Sequence, residues 1–152
     1  IEINGLLSQV SHDNEPEACI SGIELRVENL EDQAFILAQK RKLLLLFENL
    51  IYNAISFTPE DGVITISPCL DQDGVTIRVS DTGMGIEPEH LPHIFERFYS
   101  GRPDASESSG LGLYIARITV EELGGSIHAE SVKGQGSVFT VRIPLAGTVP
   151  SL

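Results

Sequence analysis

The chain has 152 residues, a length typical of one domain that can bury a substantial hydrophobic core without disulfides or metals. Its 22 acidic and 10 basic side chains give a net charge of −12, which argues against a surface for nucleic acid or anionic membranes. No signal peptide and no apolar run of about 18 residues is visible, and the widely separated Cys19 and Cys69 are expected to be reduced thiols.

The N-terminal half is predicted to contain two helices and two strands. A short helix is expected over residues 2–12, followed by strands around residues 22–29 and 34–38. A long apolar helix is predicted over residues 40–57. The helix is expected to stop before Thr58, because the residue that precedes a proline disfavours helical backbone.

The C-terminal half begins with a predicted hairpin. Alternating apolar residues indicate strands at 63–67 and 75–80, joined by the turn DQDG at 71–74. A second long helix is expected over residues 111–123, since Gly124 and Gly125 follow it.

Two further strands, SIHAES and SVFTVRIPL, complete the chain. In the second of these, Phe139, Val141 and Ile143 share one face. Helices and hairpins interleave without strict β-α-β alternation, which favours an α/β fold with a helical layer on one face of a mixed sheet.

The long helix carries a polar stripe that needs an explanation. At about 100° per residue, Asn49, Asn53, Ser56 and Lys42 fall on one side. The opposite side is apolar and holds Leu43, Phe47, Leu50, Ile51 and Ala54. A solvated helix face is one interpretation, but Glu, Lys and Gln are better helix formers at such sites. Amide oxygens are also ligands that Mg²⁺ accepts beside phosphate oxygens, so a metal site is the alternative.

Two glycine clusters follow predicted elements. In SDTGMGI, Gly83 and Gly85 come directly after a strand, where they permit close approach of a flat ligand, and Asp81 offers a carboxylate to an exocyclic amine. An ordinary tight turn is the alternative. In SSGLGLYI, glycines open the second long helix, whose free N–H groups suit phosphate; a flexible helix entry is the alternative.

Taken together and in order, five segments resemble the N, G1, F, G2 and terminal boxes of the ATP-binding catalytic domain of sensor histidine kinases. They are ENLIYNAISFTP, SDTGMGI, FERFYSG, SSGLGLYIARI and GQGSVFTVRIPL, within residues 20–145. The resemblance implies a two-layer α/β sandwich with a mixed, mostly antiparallel sheet of about five strands on about three helices. Residues 1–152 would then be a single domain, with 1–19 leading in and 99–110 forming a flexible ATP lid.

The resemblance also implies roles for particular residues. Asn53 would bind Mg²⁺, Asn49 would support the metal or the phosphates, and Asp81 would bind the adenine amine. Gly83 and Gly85 would shape the base pocket. The remaining nucleotide contacts would come from Thr140 near the base and from Ser108, Gly110, Leu111 and Gly112 near the phosphates.

Cations for the γ-phosphate are less obvious. Arg97 or Arg102, which flank the F box, are candidates because a planar guanidinium suits phosphate oxygens; for Arg97 a structural ion pair is the alternative. Phe95 and Phe98 are expected to anchor the F box in the core. Family members often carry a lysine where this chain has Ser56, so Lys42 is a candidate substitute.

The resemblance also bears on the chemistry. Hydrolytic members of the superfamily place a glutamate base four residues before the metal asparagine, where this chain has Asn49, and an amide cannot take up a proton usefully. Transfer to a protein side chain is therefore favoured over rapid hydrolysis. The adjacent Glu48 lies about 100° away on the helix.

The expected acceptor is a histidine outside this chain. His12 lies too close in sequence to Asn53 to leave room for the usual helical hairpin, while His90 and His93 are expected to be solvated or capping. Because Ile1 is not Met, we expect a fragment of a longer protein, and the resemblance implies an upstream dimeric phosphoacceptor domain. The expected partner is a response-regulator receiver domain, and the expected location is the cytoplasm. A degenerate nucleotide-binding interaction module and a serine or anti-sigma-type kinase of the same fold are the alternatives.

Overall fold

The computed structural model describes residues 1–99 and 112–146, and over these ranges helices lie against a five-stranded sheet. The helices are α1 (Ile3–Ile20), α2 (Lys40–Phe57) and α3 (Gly112–Glu122), with a 3₁₀ turn at Leu91–His93. The strands are β1 (Glu24–Val27), β2 (Val63–Leu70), β3 (Gly74–Asp81), β4 (Ser126–Val132) and β5 (Gly136–Pro144). Their order across the sheet is β1-β2-β3-β5-β4, and the β1–β2 pair alone is parallel. The predicted two-layer α/β architecture is therefore confirmed.

The core lies between α2 and the central strands. Val75, Ile77 and Val79 of β3 pair in register with Ile143, Val141 and Phe139 of β5, and all six are buried. The apolar side of α2 packs over them with Leu43, Leu46, Phe47, Leu50, Ile51 and Ala54, all buried. The polar stripe of α2 is consequently turned away from the sheet.

Helix α1 is longer than the sequence predicts. The expected helix ends at residue 12, but the observed one runs to Ile20 with Pro16 inside it. A proline removes one intrahelical hydrogen bond, here to His12. Ala18 on the last turn is fully buried, so packing outweighs that loss.

The strand predicted at residues 34–38 is wrong. This segment makes only an isolated bridge, between Phe35 and Glu2, with backbone bonds of 2.9 Å from Ile3 N–H to the Ala34 carbonyl and from Ile36 N–H to the Ile1 carbonyl. Its apolar alternation is real, since Ala34 and Ile36 are buried. However, its neighbour turns into α1 at Ile3, so no ladder can extend.

The other predicted elements are confirmed. Helix α2 has the predicted bounds, and the hairpin strands are longer than expected at their turn ends. After α3, Gly124 adopts a φ of +78°, the left-handed conformation expected of a helix stop. Cys19 and Cys69 are both free and exposed, as expected for reduced thiols. No helix within the described ranges is long and apolar enough to cross a membrane.

Candidate active site

The C-terminal half of α2 faces the start of α3 through Asn49. A Cβ built on Gly112 would lie 3.5 Å from Oδ1 of Asn49, so the asparagine reaches the first residue of α3. The Nδ2 group of Asn49 is buried and has no hydrogen-bond partner among the described residues. A buried unpaired donor costs about 1–3 kcal/mol, so this amide is placed to donate to an acceptor that the described residues do not supply.

Asn53 lies one helical turn beyond Asn49 and is half-buried on the same stripe. Its amide oxygen is a hard, neutral donor of the kind that Mg²⁺ accepts. The neighbouring Glu48 is exposed, as its angular position predicts. The structure therefore brings the two asparagines together and leaves the adjacent carboxylate in solvent.

A second polar group of the candidate site, after the asparagines of α2, lies at the end of β3. Asp81 is only 8% exposed, and its Oδ1 accepts a hydrogen bond of 2.9 Å from the backbone N–H of Gly83. Burial raises the pKa of this carboxyl above its ordinary value, although the backbone N–H groups of Gly83 and Ser137 partly offset the rise. Asp81 is thus a buried acceptor fixed in orientation.

The loop after Asp81 is held tightly at both ends. A Cβ on Gly83 would overlap the carbonyl of Phe57, the last residue of α2, and Met84 N–H donates to that same carbonyl at 3.0 Å. Gly85 has a φ of +74°, and a Cβ there would overlap the carbonyl of Val132. The loop can therefore approach α2 and the β4–β5 turn only because both positions are glycine.

Ser137, which is not among the residues predicted from the sequence, lies beside Asp81, whereas Thr140 does not. Ser137 pairs with Asp81 across β3 and β5 and is 5% exposed. Thr140 pairs instead with Arg78 and His128. Because side chains alternate along a strand, Thr140 lies on the sheet face opposite to Ser137 and Asp81. The shared face of Phe139, Val141 and Ile143 was the signal that could have identified Ser137.

Lys42 is not brought to the asparagines. Its Nζ lies 3.3 Å from Oε2 of Glu122, near the opposite end of α3 from Gly112. Seven residues of helix separate Lys42 from Asn49, a rise of about 10 Å. Lys42 is therefore not placed to contact phosphates beside Asn49 and Asn53.

The F-box side chains divide between core and surface. Phe95 packs edge-on against Phe139 with ring centroids 6.0 Å apart, which confirms it as an anchor. Phe98 is 62% exposed with a φ of +64°, so the expectation that it anchors the core is wrong. Its ring instead lies under the guanidinium of Arg97, 4.6 Å from the centroid. Within the described ranges no carboxylate lies at ion-pair distance from Arg97, so its proposed structural ion pair is not observed.

The histidines near the F box are held by local contacts. Nδ1 of His90 contacts the Tyr99 hydroxyl, and Nδ1 of His93 lies 2.8 Å from Oε1 of the exposed Glu96. Arg102, Ser108, Gly110 and Leu111, with all but the first residue of the predicted lid, lie outside the described residues.

Comparison with known proteins decides what this arrangement of α2, β3 and α3 belongs to. The model of the family described as histidine kinase-, DNA gyrase B- and HSP90-like ATPase matches residues 38–147. The chain belongs to this ATPase family.

Several curated relatives of this ATPase domain are sensor kinases. The sensor histidine kinase RppB of Synechocystis is 34% identical over 146 residues, which are 94% of this chain and 32% of RppB. The phosphate regulon sensor protein PhoR of Pseudomonas aeruginosa is 32% identical over 144 residues, which are 92% of this chain and 32% of PhoR. The chain thus spans about a third of the length of these relatives.

Solved structures agree with that placement. The ATPase domain superposes on the catalytic domain of the histidine kinase ThkA with a TM-score of 0.79 and 28% identity, covering 95% of this chain and 96% of that one. It superposes on full-length ShkA, solved in complex with AMPPNP, with a TM-score of 0.82 and 31% identity, covering 100% of this chain and 32% of ShkA. The chain is therefore a histidine kinase catalytic domain of this ATPase family.

The site's donors fit a magnesium nucleotide better than a protein-caged metal. No group of three or more His, Cys, Asp or Glu side chains is placed to hold a metal within residues 1–99 and 112–146. Asn49 and Asn53 supply neutral amide groups, which suit a cation that keeps water and phosphate oxygens as its other ligands. The Nδ2 of Asn49, which finds no acceptor in the part of the chain that the structure describes, is a donor that a phosphate oxygen would satisfy.

Proposed function

We propose that this domain binds Mg-ATP and transfers its γ-phosphoryl group to a histidine on a dimeric helical phosphoacceptor domain elsewhere in the full-length protein. The phosphoryl group then passes to the receiver domain of a response regulator. The observation that carries the proposal is the buried Nδ2 of Asn49, which has no hydrogen-bond partner within residues 1–99 and 112–146 and lies where α2 meets the start of α3. The domain works in the cytoplasm, with no nucleic acid or membrane contact of its own.

The base occupies the pocket at the end of β3. Asp81 accepts a hydrogen bond from the exocyclic amine of adenine, and Gly83 and Gly85 let the loop backbone pass close to the ring. Ser137 takes the place beside the base that the sequence interpretation gave to Thr140, because it pairs directly with Asp81. The AMPPNP complex of ShkA, whose fold this chain shares, supports a nucleotide in this fold.

The phosphates lie between α2 and the start of α3. Asn53 would hold Mg²⁺, which would supply positive charge to neutralise the phosphates, and Asn49 would donate to the phosphates or support the metal. Gly112 leaves room beside Asn49, and sequence resemblance adds Ser108, Gly110 and Leu111 as phosphate contacts. Arg97 is proposed to reach the γ-phosphate, since no described carboxylate pairs with it, and Arg102 is the alternative.

The residues favour transfer over hydrolysis. In the proposed reaction the acceptor nitrogen forms a bond to the γ-phosphorus while the bond to the β–γ bridging oxygen breaks, and ADP leaves with that electron pair. Water could compete only with a base beside it. Asn49 cannot accept a proton usefully, and Glu48 is exposed to solvent. The domain therefore contributes position and charge rather than a proton acceptor for water.

Nucleotide binding by wild-type protein and by the Asn53→Ala and Asp81→Asn variants tests the proposal. We expect both substitutions to weaken Mg-ATP binding at least tenfold in titration calorimetry, and Asn53→Ala to lose most of the Mg²⁺ dependence. Glu48→Ala, on the same helix but exposed, is the matched control and should bind as wild type does. Equal affinity in all four proteins would refute the proposed site.

The second half of the proposal needs the full-length protein. Labelled ATP should give an acid-labile phosphohistidine that transfers to a receiver domain. A nucleotide-gated interaction module is the second candidate, because the Ser56 hydroxyl donates to the Tyr52 carbonyl at 2.9 Å and provides no cation for phosphate. That candidate predicts nucleotide binding without a phosphoprotein. Acid-stable phosphoserine on a partner would instead indicate a serine or anti-sigma-type kinase.

A further inference from the structure

We propose that Ser131 is a positioning residue for base recognition: it fixes the Ser137 hydroxyl as a hydrogen-bond acceptor beside Asp81 and so favours adenine over guanine. This inference rests on the proposed function, in which the base lies against Asp81. It assigns part of the selectivity for the base to β4, the strand next to β5, which carries Ser137.

Three side chains form a row across the sheet. Asp81 of β3 pairs with Ser137 of β5, and Ser137 pairs in turn with Ser131 of β4. Directly paired residues share one face of a sheet, so all three lie on the face that carries the helices. Ser131 is thus two strands away from Asp81 but touches the residue that stands beside it.

The hydrogen bonds of Ser131 favour one arrangement of the hydroxyl protons. The hydroxyl lies 2.7 Å from the Ile86 nitrogen, 3.0 Å from the Gly136 carbonyl and 3.0 Å from Oγ of Ser137. Either serine could donate in the contact between them, but the Ile86 N–H can only donate and the Gly136 carbonyl can only accept, so we assign the single proton of Ser131 to Gly136. With that assignment Ser137 is the donor to Ser131, and its proton points away from Asp81.

That proton direction makes one side of the pocket an array of acceptors. The lone pairs of Ser137 remain for the ligand, next to the carboxylate of Asp81. Adenine presents an amine, which donates, where guanine presents a carbonyl, which accepts. Because the Ser137 proton is donated to Ser131, the pocket offers the guanine carbonyl only acceptors. Two buried acceptors that face each other both lack a hydrogen bond, so guanine binds less well than adenine.

Ser131 also ties the glycine loop to the same hairpin. Besides the Ile86 N–H bond to Ser131, the Gly134 N–H donates to the Met84 carbonyl at 2.7 Å. The loop that follows Asp81 is therefore bonded both to the end of β4 and to the turn between β4 and β5. Removing the Ser131 hydroxyl frees the Ser137 proton and one loop N–H together.

The test compares ATP and GTP affinity at pH 8 by competition against a fluorescent adenine nucleotide. We expect Ser131→Ala to lower the ratio of ATP to GTP affinity about threefold to tenfold, because the freed Ser137 hydroxyl can turn and donate to a guanine carbonyl. Ser131→Thr keeps a hydroxyl and should restore the ratio. Ser126→Ala, an exposed serine at the other end of β4, is the matched control and should leave it unchanged.

A double-mutant cycle shows whether Ser131 acts through Ser137. On a Ser137→Ala background, Ser131→Ala should change the ratio no further. An unchanged ratio in Ser131→Ala, a parallel loss of both affinities, or an equal effect on both backgrounds would overturn the inference. If wild-type protein binds neither nucleotide, the proposed function itself fails, and that outcome is distinct from all of these.

Discussion

The backbone N–H of Gly83 donates a hydrogen bond of 2.9 Å to Oδ1 of Asp81, and this bond holds a carboxyl that burial makes reluctant to ionise. A carboxyl with a raised folded pKa stabilises the fold when it is protonated. That contribution is complete below the ordinary value of 3.8 and is lost as pH rises through the raised pKa. At neutral pH the ionised Asp81 therefore lowers the stability of the fold, a cost that agrees with the binding role proposed for it.

Replacing Asp81 by Asn should separate these two effects. The amide oxygen can still accept from Gly83, while the buried charge is removed, so we expect the melting temperature at pH 7 to rise. The difference from wild type should shrink as pH falls towards 4, because the wild-type carboxyl becomes protonated. Thermal denaturation at several pH values measures this. A difference that does not depend on pH would contradict the prediction.

Gly85 and Gly134 offer a matched pair of alanine substitutions. Both have positive φ, +74° and +84°, so each Gly→Ala change should incur a conformational cost of about 1 kcal/mol. A Cβ at Gly134 meets nothing within 4 Å, whereas one at Gly85 overlaps the Val132 carbonyl. Urea denaturation should show a clearly larger loss for Gly85→Ala, and this variant alone should weaken ATP binding. Equal losses would show that the loop can move away from β4.

The start of α2 lacks a side-chain cap. Gln39 occupies the N-cap position with extended backbone but makes no side-chain cap hydrogen bond, and Lys40, Arg41 and Lys42 place three cations at the positive end of the helix dipole. Gln39→Asp should raise the free energy of unfolding by about 1 kcal/mol, or about 2–4 °C in melting temperature. Gln39→Ala is the control and should change little. An Asp variant no more stable than the Ala variant would refute this account.

Asn49 and Asn4 should respond oppositely to truncation. Asn4 makes two hydrogen bonds with the backbone of Leu30, at 2.9 and 2.8 Å, so Asn4→Ala should destabilise the fold by about 1–3 kcal/mol. The Nδ2 of Asn49 is buried without a partner among the described residues, so Asn49→Ala should cost less than about 1 kcal/mol or even stabilise. It should nevertheless abolish most phosphoryl transfer by the full-length protein. A large loss of stability in Asn49→Ala would indicate a structural role instead.

The sequence predicted the fold better than it predicted side-chain positions. The bounds of α2 followed from local periodicity and from Thr58 before a proline, both readable within the segment. The end of α1 depended on the burial of Ala18, a tertiary contact that outweighs the local signal of Pro16. The segment around Phe35 has strand-like alternation, but a strand also needs a neighbour that continues.

The same distinction holds within the site. The positions of Asn49 and Asn53 on the polar side of α2 were predicted correctly because the bounds of that helix were, and Asp81 lies at the end of β3, one residue beyond the predicted strand. Thr140 was predicted near the base instead of Ser137 because the terminal motif was matched without regard to sheet faces. Residues three positions apart in a strand have their side chains on opposite faces of the sheet. Lys42 lies on the same side of α2 as Asn49 when viewed along the helix axis. That angular position does not reveal the distance between them along the axis or the ion pair with Glu122.

The pairing of Asp81 with Ser137 has a consequence for how the chain folds. These residues are joined across β3 and β5, whose connection includes the whole of α3 and β4, so their contact requires the closure of a long loop. Contacts of this kind form late, after local hairpins and helices. We therefore expect the base pocket to be completed in the last step of folding. Added nucleotide should slow unfolding while leaving the early folding phases unaffected.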